Sequence, residues 1–201
     1  MSEMHPYERL PLFGTGLALA LTLIGISAFF LAQPETAQRF LKKFPRNHNL
    51  GQILLGIGLG WFWLLIAPEG YGLLSSLRME LGEFNNAKAF LRILTPAIFV
   101  AVCFSVKEFL AVRALGLLGL MVAAPLLEAA FLKDPASRLL IPIFTYVLII
   151  KSMFWIGMPY LFRDAVTWVT ETPARFKAAA MANLAYGVVV LLCALLFWRG
   201  Y

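Results

Sequence analysis

Residues 139–162 read LLIPIFTYVLIIKSMFWIGMPYLF, and this stretch decides the fold class. Apolar side chains occupy nearly every position, and a helix of roughly 20 apolar residues crosses the hydrocarbon core of a bilayer. We therefore predict a membrane-spanning helix over 139–162. The stretch carries a single charge, Lys151, which on this prediction lies about 18 Å from either end at about 1.5 Å per residue.

The composition of the whole chain is typical of a membrane protein. Of its 201 residues, 61% are hydrophobic and 14% are charged, whereas soluble domains are about 45–50% apolar and about 25% charged. The net charge of +6 comes mainly from Lys and Arg in polar connections between apolar blocks, where such side chains contact lipid headgroups. We therefore predict membrane lipids, and not nucleic acid, as partners of these basic residues.

The apolar blocks predict an all-α fold, in which 1–201 form a single polytopic membrane bundle. Six spans are expected, at about 12–32, 50–67, 93–109, 114–132, 139–162 and 178–198. The third span is short, since its apolar run, 93–106, has only 14 residues. Amphipathic helices at the membrane interface are expected in 34–45 and in 71–92, where apolar side chains recur at helical spacing among polar ones.

A sparse internal repeat also occurs in the chain. In 37–45 and again in 165–173, an alanine and an aromatic residue precede a proline by eight and five residues, and a span follows. Internal repeats are common in membrane folds. The pattern predicts three related helical hairpins, formed by consecutive pairs of spans.

Lys151 is the candidate functional residue, because a charge deep in a span must face protein, water or a partner subunit. Its neighbours one helical turn away are apolar or aromatic, so a carboxylate has to come from another helix. Glu128 and Glu108 are the available donors. One interpretation is a site for a substrate anion or for proton transfer, and the other is a structural lysine, neutral or paired with a partner protein.

Small residues recur at helical spacing in two of the predicted spans. Gly56 and Gly60 form a G-x-x-x-G pair in the second span, and Gly116 and Gly119 form a similar small face in the fourth. Glycines at such spacing allow two helix backbones to approach closely. We predict that these four glycines pack helices together, within the bundle or between subunits.

The sequence contains no Ser-His-Asp set, no H-E-x-x-H, no paired intramembrane aspartates and no C-x-x-C. Both histidines, His5 and His48, fall outside the predicted spans, which argues against a bis-histidine haem b site, and both cysteines lie inside apolar blocks. No catalytic, cofactor-binding or metal-ligating residue is predicted. A lipid-modifying enzyme that recruits Glu35, His48, Asp164 or Glu171 stays open, although nothing in the spacing of these residues specifies it.

The orientation is encoded by a small excess of positive charge. The connections after spans one, three and five hold nine Lys/Arg, and the opposite side holds seven. The positive-inside rule then places the odd-numbered connections in the cytoplasm and both termini outside, in a cell (inner) membrane. The N-terminus does not resemble a cleaved signal peptide, so the first span is expected to be retained.

Two functions from different classes fit these observations. The favoured one is non-enzymatic: a structural or accessory role in a larger membrane assembly, through other membrane subunits or self-association. The alternative is a small transporter or channel with Lys151 at an anion or proton site. A polar-lined cavity that reaches Lys151 would favour the transporter, whereas co-purifying partners and no water path to Lys151 would favour the accessory subunit.

Overall fold

A computed structural model describes residues 5–68, 70, 72–75, 77–106 and 108–201, and these residues form eight α-helices and no β-strand. The helices are α1 (Leu12–Ala32), α2 (Pro34–Lys43), α3 (His48–Leu65), α4 (Lys88–Ser105), α5 (Leu110–Ala130), α6 (Leu140–Gly157), α7 (Tyr160–Thr170) and α8 (Pro173–Phe197). The predicted all-α fold is therefore confirmed. Among the described helices, α1, α4, α5, α6 and α8 are long and apolar enough to cross a membrane. The chain is a multi-pass membrane protein.

The predicted second span, 50–67, corresponds to α3, which is not one of the five described helices that are long and apolar enough to cross a membrane. Its first turns contain His48, Asn49 and Gln52, and the side chain of Asn47 caps the helix by accepting a hydrogen bond from the Leu50 amide at 3.1 Å. The helix nevertheless packs lengthwise on α5. Its place in the bundle thus follows from packing rather than from hydropathy.

The stretch 139–162 forms two helices rather than one, which corrects its predicted length. The first, α6, ends at Gly157, and α7 begins at Tyr160. The residue before a proline is disfavoured in the α region, and Met158 accordingly has φ −129° and ψ 67° ahead of Pro159. Lys151 therefore lies six residues from the end of its helix, and not in the centre of a 24-residue span.

The two connections predicted to hold interfacial helices differ in structure. The first contains α2, with proline in its first turn and Lys42 and Lys43 in its last. In 71–92 there are instead two short 3-10 turns, Gly72–Ser75 and Gly82–Ala87, before α4 begins. Gly72 and Gly82 both have φ +56°, a left-handed conformation that interrupts a regular helix. Tyr71 and Ser76 of this connection, and Lys107 of the next one, lie outside the described residues.

The long helices pack in a repeating order. The first helix of each predicted hairpin lies against the last helix of the preceding one: α4 on α3, α6 on α5, and α1 on α8. The closest pairs are α1 with α8 and α5 with α6, whereas α1 touches α5 at few points. However, α3 packs more extensively on α5 than on α4, and the two long helices of each predicted hairpin approach each other at few points, so three repeated hairpins stay a prediction. The packing leaves a groove between α1 and the α5–α6 pair.

The bundle has two ends. Helices α2 and α7 lie together at one end, which we call the α2/α7 end, and contact each other there. The chain termini meet at the other, the terminal end, where Phe13 donates its backbone N–H to the Tyr201 carbonyl oxygen at 3.2 Å. Trp198 is fully buried at this end, packs with Leu12, and donates to the Ser137 hydroxyl at 2.9 Å.

Candidate functional site

Lys151 lies on the outer face of α6. This helix buries Ile141, Thr145 and Ser152, and it packs chiefly on α5. Lys151 is exposed, as are its apolar neighbours Val147 and Phe154. Its ammonium makes no hydrogen bond or ion pair with any residue that the structure describes. The charge therefore points away from the bundle interior.

The position of Lys151 along α6 makes contact with headgroups difficult. Six residues separate it from Gly157 and eleven from Leu140, or about 9 Å and about 16 Å along the axis. Five bonds of about 1.5 Å give a lysine side chain a reach of about 6 Å. The Cα–Cβ bonds of a helix tilt toward its N-terminus, which here is the farther end. The ammonium thus sits at an apolar depth, where a bare charge is unfavourable.

The two glutamates predicted to approach Lys151 lie at other depths. Ser152, beside Lys151, contacts Gly116 and Gly119 of α5. From Gly119, Glu128 lies nine residues along α5, or about 13 Å, and Glu108 precedes α5 in an exposed bend about 12 Å from Gly116. The structure does not bring these carboxylates to Lys151.

The closest helix contacts of the bundle involve glycines. A Cβ added at Gly116 would lie 2.7 Å from the Ser152 carbonyl oxygen, and one at Gly119 would overlap the Ser152 hydroxyl. On α3, a Cβ at Gly56 would meet only the Phe99 ring at 3.5 Å, and one at Gly60 would meet nothing within 4 Å.

The close approach of α3 to α5 lies at different glycines. A Cβ at Gly51 would lie 2.6 Å from the Ala111 amide nitrogen, and one at Gly58 would lie 3.0 Å from Leu117. The sequence signal for Gly58 was present, because it belongs to the same glycine run as Gly56 and Gly60. Nothing in the run indicates which face meets α5, since that depends on the position of the partner helix.

Three apolar cavities between the helices are lined by residues that the structure describes. The largest, about 650 Å³, is the groove between α1, α5 and α6; one of about 260 Å³ separates α3 from α4; and one of about 210 Å³ lies under α2 and α7. No charged side chain lines any of the three, and Lys151 is not among their lining residues. These cavities therefore offer apolar chains a place to bind and do not form a polar path to Lys151.

Polar contacts tie the segment before α1 to the rest of the terminal end. The Trp61 indole N–H donates to the Tyr7 hydroxyl at 2.5 Å, and His5 Nε2 lies 3.0 Å from the Leu77 carbonyl oxygen. Burial raises the pKa of the Tyr7 phenol above its usual value, and the hydrogen bond from Trp61 partly opposes this. The contacts have a structural explanation, because they satisfy buried donors and acceptors.

The part of the chain that the structure describes holds no group of three or more His, Cys, Asp or Glu side chains placed to bind a metal ion. What the site presents is a single lysine on the apolar outer face of a multi-pass membrane bundle. No family model, curated protein or solved structure matches the chain.

Proposed function

We propose that this chain is a structural or accessory subunit of a larger membrane assembly, and that the outer face of α6 docks a transmembrane helix of another subunit. The observation that carries the proposal is the exposed, unpaired Lys151 at apolar depth. A lysine within a membrane helix is unfavourable, by up to about 2.5–3.5 kcal/mol at the helix centre on insertion scales. A carboxylate from a neighbouring helix offsets this cost.

The surroundings of Lys151 suit a helix contact. Tyr146, Ile150 and Met153 are exposed on α6 and provide an apolar surface beside the ammonium, with exposures of 58%, 55% and 62%. Aromatic residues and methionine are enriched in the cores of protein interfaces, and methionine adapts to irregular surfaces. The surface therefore offers both apolar area for packing and one positive charge for an ion pair.

The partner is inferred to be a different protein rather than a second copy. In a symmetric dimer through α6, each Lys151 needs a carboxylate from the other copy at a similar depth. Glu108 and Glu128 lie about 12–13 Å away along the axis, so neither meets this condition. The proposed partner helix therefore carries its own Asp or Glu within the membrane.

A charge exchange tests the proposal. We expect Lys151→Met to reduce recovery of the partner when the assembly is purified from native membranes, whereas Lys177→Met, which removes an exposed lysine near the start of α8, leaves recovery unchanged. Lys151→Glu should separate the two proteins, and replacing the partner's intramembrane acid with lysine should restore their association. Unchanged recovery in Lys151→Met contradicts the proposal.

The same variant separates this function from the transporter. If Lys151→Met leaves the assembly intact but abolishes an anion or proton flux in reconstituted vesicles, Lys151 serves transport and the accessory role is wrong. The docking role stands if Lys151→Met loses the partner and neither the wild-type complex nor the variant shows such a flux in reconstituted vesicles.

A further inference from the structure

A second group of cations without internal partners lies at the α2/α7 end. Arg39, Lys42, Lys43 and Arg46, here called the α2 cluster, are all exposed, and none forms an ion pair with a described residue. On the same segment, Ala37 and Phe44 are buried and hold it against the bundle. The amphipathic pattern of α2 directs three positive charges outward, and Arg46 in the following 3-10 turn adds a fourth.

Two neighbouring cations of α7 and α8 are paired within the chain. Arg163 pairs with Asp164 at 2.8 Å, and Arg175 pairs with Glu171 while its guanidinium lies 4.9 Å from the centre of the Trp168 ring. Arg163 and Arg175 therefore have their own counter-charges. Lys177 and the four cations of the α2 cluster form no ion pair with a described residue.

The positive charge of the chain is concentrated at this end. Counted along the sequence, the segments at the α2/α7 end hold nine Lys/Arg and four Asp/Glu, whereas those at the terminal end hold seven of each. The terminal end is therefore neutral, and the excess positive charge of the α2/α7 end together with Lys151 gives the net charge of +6. Basic segments of this kind attract anionic lipids.

An apolar cavity borders α2, the helix that carries most of the α2 cluster. Leu41, next to Lys42, lines the cavity of about 210 Å³ together with Val169 of α7 and Ala179 of α8. Leu23 and Ile26 line both this cavity and the groove of about 650 Å³ along α1. The two spaces therefore adjoin each other on α1, and apolar lining continues from the basic surface into the bundle.

We propose that the α2 cluster binds the phosphate headgroup of an anionic phospholipid and that an acyl chain of this lipid occupies the adjoining cavities. The cations recognise the phosphate, and the uncharged walls accommodate the chain within a volume typical of small-molecule pockets. A water-soluble phosphate would use only the first of these features. The inference goes beyond the docking role of α6, because it needs no partner protein.

Native mass spectrometry of the full chain tests the site. The protein is placed in nanodiscs with equal amounts of phosphatidylglycerol and phosphatidylcholine of identical acyl chains, then released by activation that strips loosely held lipid. We expect phosphatidylglycerol to be retained in preference to phosphatidylcholine. The variant Lys42→Gln/Lys43→Gln should lower this preference roughly 10- to 30-fold, from the attraction of each lysine for an anionic lipid.

Two further variants distinguish the site from diffuse attraction. Lys133→Gln/Arg199→Gln removes the same charge from the terminal end and should leave the preference unchanged. Ala179→Phe fills the smaller cavity with the α2 cluster intact and should lower retention of phosphatidylglycerol severalfold, in protein that remains monodisperse on gel filtration. An equal effect of both double variants, or no effect of Ala179→Phe, overturns the proposal. Displacement of phosphatidylglycerol by inorganic phosphate also overturns it, because the chain would then contribute nothing.

Discussion

Replacing Gly16 by alanine tests the packing of α1 on α8 most directly. A Cβ at this position would lie 2.6 Å from Cε3 of Trp198 and closer still to Cζ3. The indole is fully buried and held by its hydrogen bond to Ser137, so it has little room to yield. Inserting a methyl group into such a site typically costs about 1–3 kcal/mol.

The matched control is Gly25→Ala on the same helix. A Cβ there meets no atom within 4 Å. Both substitutions gain about 1 kcal/mol of intrinsic helix propensity, so this contribution cancels when the two variants are compared. We therefore expect Gly16→Ala to be less stable than Gly25→Ala by about 1–3 kcal/mol.

The assay is denaturant unfolding of the full chain in detergent micelles, followed by tryptophan fluorescence. The comparison is repeated in a Trp198→Phe background, where the smaller ring should remove most of the difference between the two alanine variants. Equal stability of Gly16→Ala and Gly25→Ala in the wild-type background would refute the packing of Trp198 against Gly16. A difference that persists unchanged with phenylalanine at 198 would assign the effect to another contact.

Two shorter predictions use the same unfolding assay. Gly51→Ala should lower stability by about 1–3 kcal/mol, because its Cβ would meet backbone of α5, whereas Gly60→Ala, which meets open space, should leave stability unchanged or raise it. Tyr7→Phe should change the alkaline limit of stability. Burial raises the pKa of the Tyr7 phenol in the folded protein. The contribution of the neutral phenol to the free energy of unfolding is therefore complete below pH about 10 and is lost as the pH rises through the folded pKa. Tyr7→Phe should not lose stability in this pH range. The check is the tryptophan emission, which should shift to the red above pH about 10 in the wild type and not in the variant.

The sequence predicted the class of fold well because hydropathy acts over whole segments. The first span was expected at 12–32, and α1 covers the same residues. The error in 139–162 came from treating hydropathy as sufficient. Gly157 and Pro159 already marked a break in that stretch, and such residues commonly end helices even inside an apolar run.

The direction in which Lys151 points was harder to predict. The α6 sequence is apolar on every side, so its hydropathy does not distinguish a buried face from a lipid-facing one. The buried face contains Thr145 and Ser152, and the glycines of α5 pack against Ser152. Small and polar residues mark helix contacts in membranes better than large apolar ones. The seven-residue spacing of Thr145 and Ser152 was therefore the sequence feature that indicated the buried face of α6.

Lys151 and the α2 cluster lack partners among the described residues for the same physical reason, which is the uneven distribution of carboxylates. Counted along the sequence, seven of the eleven carboxylates belong to segments at the terminal end, so few remain for the nine cations of the α2/α7 end. None of the described carboxylates is level with Lys151. The two sets of cations then require different external groups. Lys151 is exposed among apolar side chains about 9 Å from the helix end, where a carboxylate on a packed protein helix can be held beside it. The α2 cluster is exposed at the end of the bundle, where lipid phosphates are abundant. Removing Lys151 should therefore change protein association without changing lipid preference, and neutralising Lys42 and Lys43 should do the reverse.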